Sequence, residues 1–247
     1  MTMIRVPFCP ESQLSNLKTH FHEGTPLNYR RSFLLPEGFN KGRALLHIGA
    51  ADQVAVVTLN GHFIGTHQGG YEAFSFDITD ALQDENILEI TCTDDLRDKS
   101  FPYGKQVKPE KRGGMWYTPV SGIWQSVWLE SVPETYIENL DIQVDLTKAV
   151  ITTTPALEGK VLCDGKEYPL ADGKAEIKPE NPHLWSPEDP YLYEFTVEAG
   201  EDKIESYFAI RSLEIKKNGK YPRLCLNGKP YFFHGLLDQG YWPDGIF

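Results

Sequence analysis

The sequence has no surplus of positive charge. Its formal net charge is −11, which leaves nothing to displace the counterions of a nucleic-acid backbone and excludes that class of partner. No run of about 18 apolar residues occurs, so no membrane-spanning helix is expected. Arg5, Pro7, Pro10 and Glu11 interrupt any apolar stretch of leader type behind Met1. Cysteine is scarce and scattered: Cys9, Cys92, Cys163 and Cys225 form no C-x-x-C pair. Three of them sit in apolar alternating stretches, where a buried free thiol is ordinary. N-x-[ST] acceptors are missing too. Together these absences favour a reduced, cytoplasmic setting with neither membrane nor nucleic acid among the partners. His20 and His22 alternate as strand-face ligands would, but no third ligand stands near them, so no metal or other cofactor is expected.

What is present is β-structure. At 247 residues, with 40% hydrophobic and 24% charged content, the chain has ample core for one large or two ordinary domains. Seventeen prolines and 21 glycines are spread along it, which suits many short strands joined by tight turns. Strands are expected over 29–35, 43–48, 54–59 and 86–92. Asn60-Gly61 between β-branched runs is a hairpin signal, because both residues tolerate the positive φ of a type I′ turn. Asp164-Gly165 and Asp172-Gly173 carry the same signal further on. Residues 94–112 are polar, without apolar period, and read as an exposed loop.

The most specific stretch is Gly113 to Glu130, GGMWYTPVSGIWQSVWLE. Its second half alternates, with Ile123, Gln125, Val127 and Leu129 on one face of an extended chain and Trp124, Ser126, Trp128 and Glu130 on the other. Pro119 and Gly122 break any helical period before it, so Trp116 and Tyr117 fall on a loop feeding a strand. This stretch resembles the strand that closes the N-terminal domain of glycoside hydrolase family 2, the β-galactosidase and β-glucuronidase family. The similarity runs on in order. It includes Tyr29-Arg30-Arg31-x-Phe33, the Leu59-Asn60-Gly61 hairpin, Gly69-Gly70-Tyr71, Phe76-Asp77-Ile78-Thr79, then Trp185-Ser186-Pro187-Glu188-x-Pro190-x-Leu192-Tyr193.

The resemblance implies an all-β chain. Residues 1–134 would form a jelly-roll (galactose-binding-like) β-sandwich, 135–212 an immunoglobulin-like β-sandwich, and 213–247 the truncated start of a (β/α)8 barrel. A barrel needs about 250 residues of its own. Retaining glycosidases work with two carboxyl groups about 5 Å apart, and in this family both are glutamates on later barrel strands. Neither position exists here, so no catalytic residue is assigned and the chain alone is expected to hydrolyse no glycoside. Its implied partner is a carbohydrate, a β-glycoside substrate; homo-oligomerisation is left open.

Five residues are candidates for contact with that substrate. Trp116 and Tyr117 offer aromatic faces to a pyranose ring, with Lys105 and Gln106 as nearby donors. Asp238 and Gln239 follow the expected first barrel strand, where many relatives show Asn-x-His, and Trp242 would wall the pocket. Two other classes compete: a free-standing lectin-like module and a β-sandwich scaffold. The apolar tail of residues 231–247 discriminates among them. A severed front end predicts a tail that is disordered or packed on another chain, whereas a finished module folds it onto its own sandwiches.

Overall fold

The computed structural model describes residues 2–21, 24–108, 111–242 and 244–246. The chain divides into two compact units: residues up to Val132 together with the segment from Asp238 onward, and Pro133–Leu237.

In the first unit, β1 (Leu27–Leu34), β2 (Arg43–Ile48), β3 (Ala51–Asp52), β4 (Val54–Leu59), β5 (His62–Gln68), β6 (Phe74–Asp77), β7 (Glu85–Thr93), β8 (Gly122–Ile123) and β9 (Val127–Val132) follow in order. One sheet runs β1-β7-β4-β5, a second β6-β2-β9, and β3 pairs with β8. Alternation sets which side chains turn inward. On β4, Ala55, Val57 and Leu59 are fully buried while Val54, Val56 and Thr58 are half-buried. They meet Leu46, Ile48, Ile90 and Ile123 in one cluster, each large aliphatic side chain contributing about 1.5–3 kcal/mol on burial. Asn60 and Gly61 take the left-handed φ values of 53° and 79° that the β4–β5 turn requires. Asn60 does more than turn: its amide donates to the Ala81 carbonyl at 2.8 Å and its side-chain oxygen accepts from the Ile87 amide at 2.8 Å.

The alternating stretch after Gly122 is two strands rather than one. β8 ends at Ile123 and β9 starts at Val127, and the chain between them keeps contact with the opposite strand through Trp124 N–H to Ala50 O and Gly49 N–H to Ser126 O. The offset sends the tryptophans to different fates. Trp124 is buried, its indole N–H donating to Gly70 O at 2.8 Å, whereas Trp128 is exposed and stacks on His47 at 5.0 Å.

The second unit contains β10 (Asn139–Val144), β11 (Ala149–Thr154), β12 (Gly159–Cys163), β13 (Lys166–Leu170), β14 (Lys174–Ile177), β15 (Tyr193–Ala199) and β16 (Asp202–Phe208). Sheets β10-β11-β14 and β13-β12-β15-β16 enclose one core in which Tyr193 stacks on Phe208 at 5.0 Å beside Phe195, Val197 and Ile151. Asp164-Gly165 closes an ordinary hairpin, Cys163 opposite Lys166. Asp172-Gly173 also turns tightly, with Ala171 and Lys174 exchanging both backbone hydrogen bonds, but β13 and β14 then part into different sheets. That dipeptide is a corner between sheets, not a hairpin within one.

Beyond Arg211, β17 (Leu213–Asn218), β18 (Tyr221–Leu226) and β19 (Lys229–Pro230) form a three-stranded antiparallel meander. Residues 231–240 carry no regular structure. The expected barrel start is therefore not formed among the described residues, because a parallel barrel strand requires hydrogen-bonding neighbours at both edges. Phe232, Leu236 and Leu237 are left 82%, 95% and 85% exposed.

The end of the tail departs from the expectation that it packs on another chain. Tyr241, Asp244 and Ile246 pack on the first unit, Ile246 with no exposure at all beside Cys9, Ala50, Val120 and Trp124. An isoleucine and a tyrosine find enough apolar surface there to fold back without another chain. Phe247, which the expectation also included, lies outside the described residues, as does His22.

Candidate functional site

The candidate residues lie on the loop of residues 94–121 and on the segment from Asp238 onward, both within the first unit, and two of them, Tyr117 and Gln239, meet at Lys105. The loop is shaped by short backbone devices. Gly113 and Trp116 exchange two hydrogen bonds at 3.1 Å around Gly114-Met115, and Gly114 sits at φ 60°, in the left-handed region glycine occupies without strain. Tyr117 N–H donates to Lys105 O at 3.0 Å, which ties the two arms of the loop together.

Beneath the loop lies a buried polar network. Gln106 is 1% exposed; its amide donates to an Asp52 carboxylate oxygen at 2.8 Å and its carbonyl oxygen accepts from Val120 N–H at 2.7 Å. Gln106 is thus consumed by the fold and is not free to meet a sugar. Burial pushes the Asp52 carboxyl up to about 6, opposed by the Gln106 hydrogen bond. Asp94 is pushed up to about 8 by burial first, then by the carboxylates of Asp52, Glu11 and Asp95. Glu11 accepts from Ser121 N–H and Oγ–H at 3.2 and 2.7 Å and lies 3.1 Å from His20 Nδ1. Among the described residues no group of three His, Cys, Asp or Glu is placed to hold a metal.

On the outer side of this network, Tyr117 stacks on Tyr241 at 5.1 Å and 20°. The Lys105 ammonium lies 5.7 Å from the Tyr117 ring centre and donates to the Gln239 side-chain oxygen. Tyr117, Gln239 and Lys105 are therefore brought together, joined by Tyr241, which sequence reasoning had placed only in the apolar tail. The other candidates stand apart from this cluster of stacks and hydrogen bonds. Trp116 is 38% exposed, Trp242 is 65% exposed on its own turn with Gly245, and exposed Asp238 accepts from Gly240 N–H at 2.7 Å. An ammonium, an amide and partly exposed aromatic rings can donate to hydroxyls and cover an apolar sugar face. The cluster contains no pair of carboxyl groups for acid–base work.

The family model described as glycosyl hydrolase 2 galactose-binding domain-like matches residues 4–111, and the one described as glycosyl hydrolases family 2 matches residues 132–211. The chain belongs to glycosyl hydrolase family 2. A β-galactosidase of Thermoanaerobacter pseudethanolicus is 29% identical over 244 residues, covering 87% of this chain and 32% of the relative. For a β-glucuronidase of Paenibacillus borealis the values are 26% over 237 residues, 84% and 39%. This family 2 chain thus spans about a third of the length of the relatives it matches. Among solved structures, Faecalibacterium prausnitzii β-glucuronidase superposes with a TM-score of 0.70 at 23% identity, over 94% of this chain and 44% of that one. Bacteroides uniformis β-glucuronidase gives 0.63 at 26%, over 91% and 30%.

Proposed function

We propose that this chain is the non-catalytic N-terminal part of a retaining β-glycosidase, of β-galactosidase or β-glucuronidase type, that hydrolyses O-glycosyl bonds. Its two sandwiches buttress a catalytic barrel, and the corner of Lys105, Tyr117 and Gln239 completes one wall of the substrate pocket, with Trp116, Asp238 and Trp242 as further candidates for contact. The observation that carries the reading is the ordered match of both family models to a chain that covers about a third of enzymes named for this activity. The exposed Phe232, Leu236 and Leu237 support it, since a run of large apolar side chains in water marks a surface made for a further partner. The inward-drawn carboxylates do not suit catalysis: Glu11 is held by Ser121 and Asp52 by Gln106. Four buried, unpaired thiols fit a reducing compartment.

The test is a chimera in which this chain replaces the matching region of the Thermoanaerobacter β-galactosidase. The reading predicts that the chimera hydrolyses a p-nitrophenyl β-glycoside, and that Trp116→Ala and Tyr117→Ala raise KM more than they lower kcat. An intact chimera whose KM ignores both substitutions contradicts the proposed pocket wall.

The packing of Tyr241 and Ile246 onto the first unit favours one feature of the competing reading, a free-standing sugar-binding module, because the tail then needs no partner along its last residues. Isothermal titration of the chain with galactose and glucuronate distinguishes the two. Millimolar or tighter binding by the isolated chain supports the module, and none supports the front end.

A further inference from the structure

The segment from Gln239 to Ile246 touches the loop of residues 103–117 through Gln239 and Tyr241. Its anchor is at the far end. Ile246 is fully buried among Cys9, Ala50, Val120 and Trp124. The Asp244 carboxylate accepts from the hydroxyl of Ser12, itself buried, at 2.5 Å. The contacts with the loop lie earlier in the segment, at Gln239 and Tyr241. The Tyr241 hydroxyl accepts from Lys105 N–H at 3.0 Å and lies 3.5 Å from the Tyr71 hydroxyl, while its ring stacks on Tyr117. Gln239 takes the Lys105 ammonium. The loop is cut to fit. Gly104 stands at φ 59°, and a Cβ there would lie 2.0 Å from the Tyr241 hydroxyl and 2.5 Å from that of Tyr71.

From this geometry we infer that residues 239–246 form a strap that orders the 103–117 loop, with Tyr241 as the positioning residue that fixes Lys105 and Tyr117. Among the described residues, the backbone bonds that the loop makes within itself are few: Gln106 N–H to Tyr103 O, Lys111 N–H to Lys108 O, Tyr117 N–H to Lys105 O and the Gly113–Trp116 pair. A loop with so little internal hydrogen bonding relies on outside contacts for its order. Tyr241 supplies two at once, a hydrogen bond to the Lys105 backbone and a ring face against Tyr117. The consequence for sugar binding rests on the function proposed above, because it matters only if Lys105 and Tyr117 face substrate. The order of the loop does not.

Amide hydrogen exchange on the 247-residue chain tests the strap directly. Tyr241→Ala is expected to raise exchange at Gln106, Trp116 and Tyr117 at least tenfold while the amides of β1, β4 and β7 keep their rates. Tyr241→Phe retains the ring stack and loses only the hydroxyl, so it is expected to free the Lys105 amide and leave Trp116 and Tyr117 close to wild type. That partial rescue is a signature general destabilisation would not produce. Ser12→Ala loosens the anchor without touching the loop, and is expected to speed exchange at Tyr241 to Ile246 and at 103–117 together. Unchanged loop exchange in Tyr241→Ala, or a tail freed by Ser12→Ala above an unmoved loop, overturns the strap. So does an equal rise across the sandwich strands. In the chimera described above, a normal KM combined with a loosened loop would leave the strap standing and remove the pocket wall.

Discussion

The core of the second unit and the loop-and-tail corner of the first are built on different rules. In the second unit one cluster of side chains from β10–β16 closes around Tyr193, Phe195 and Phe208, and charges stay on the outside in pairs such as Lys148–Glu176 and Lys160–Glu167. The corner draws polar groups inward. Gln106 and Asp52 are buried together, Asp94 titrates far above its ordinary range, and a small separate core of Cys9, Ala50, Val120, Trp124 and Ile246 seals the tail. Burying a carboxylate costs stability unless it is hydrogen-bonded. The first unit buries such groups in one place, whereas among the described residues of the second no charged side chain is buried.

The largest effect should come from the conventional core. Phe208→Ala removes a ring stacked on Tyr193 and should cost about 3–5 kcal/mol, read as a lower urea midpoint for the second unit, with hydrogen exchange in the 103–117 loop unaffected. Loop exchange that rises with it would break the contrast between the regions. Next in size is Gln106→Leu. It strands the Asp52 carboxylate and the Val120 N–H, each a buried group left without its partner, for a loss of about 2–4 kcal/mol in the first unit. Adding Asp52→Leu should recover part of that loss, since removing both polar partners is cheaper than removing one. A double variant less stable than Gln106→Leu alone would show the network to be needed for more than mutual satisfaction.

A smaller effect follows pH. Asp52 and Asp94 have folded-state pKa values raised above the ordinary carboxylate value, to about 6 and about 8. The folded chain therefore holds protons that the unfolded chain releases, and their stabilising share is complete below about pH 4 and lost as pH rises through about 6 and about 8. Asp94 faces Asp52, Glu11 and Asp95, which push its pKa further up, and His20, which opposes them. The first unit should melt a few °C higher at pH 5.5 than at pH 8.5, Asp94→Asn should flatten that slope, and the second unit should show no such trend. A slope that survives Asp94→Asn assigns the effect elsewhere. The smallest change belongs to the exposed pairs: Lys160→Ala should leave the unfolding midpoint of the second unit unmoved within error.

Those two regions also differ in what could be read from residues alone. Alternation and turn dipeptides announced β4, Asn60-Gly61, β5, β7 and the Asp164-Gly165 hairpin, because each is a local preference of a few adjacent residues. Local signals misled where geometry is set at a distance. Asp172-Gly173 turns as expected, but its strands enter different sheets, and the run from Ile123 to Leu129 is broken between β8 and β9. In the corner, Tyr117 and Gln239 could be nominated for their chemistry. Gln106 looked like a free donor, and nothing in its neighbourhood of the sequence signalled a bond to Asp52, 54 residues away. The union of Tyr241 with Lys105 spans 136 residues, and no local pattern encodes it.

The most direct measurement is release of p-nitrophenol from β-D-galactoside and β-D-glucuronide substrates by the purified 247-residue chain, followed across the gel-filtration peak. A β-sandwich front end without a catalytic carboxyl pair should release none above the blank at any fraction. Turnover that tracks the protein peak and disappears in Asp52→Asn or Glu11→Gln would contradict the account, for it would place a working active site within the corner itself.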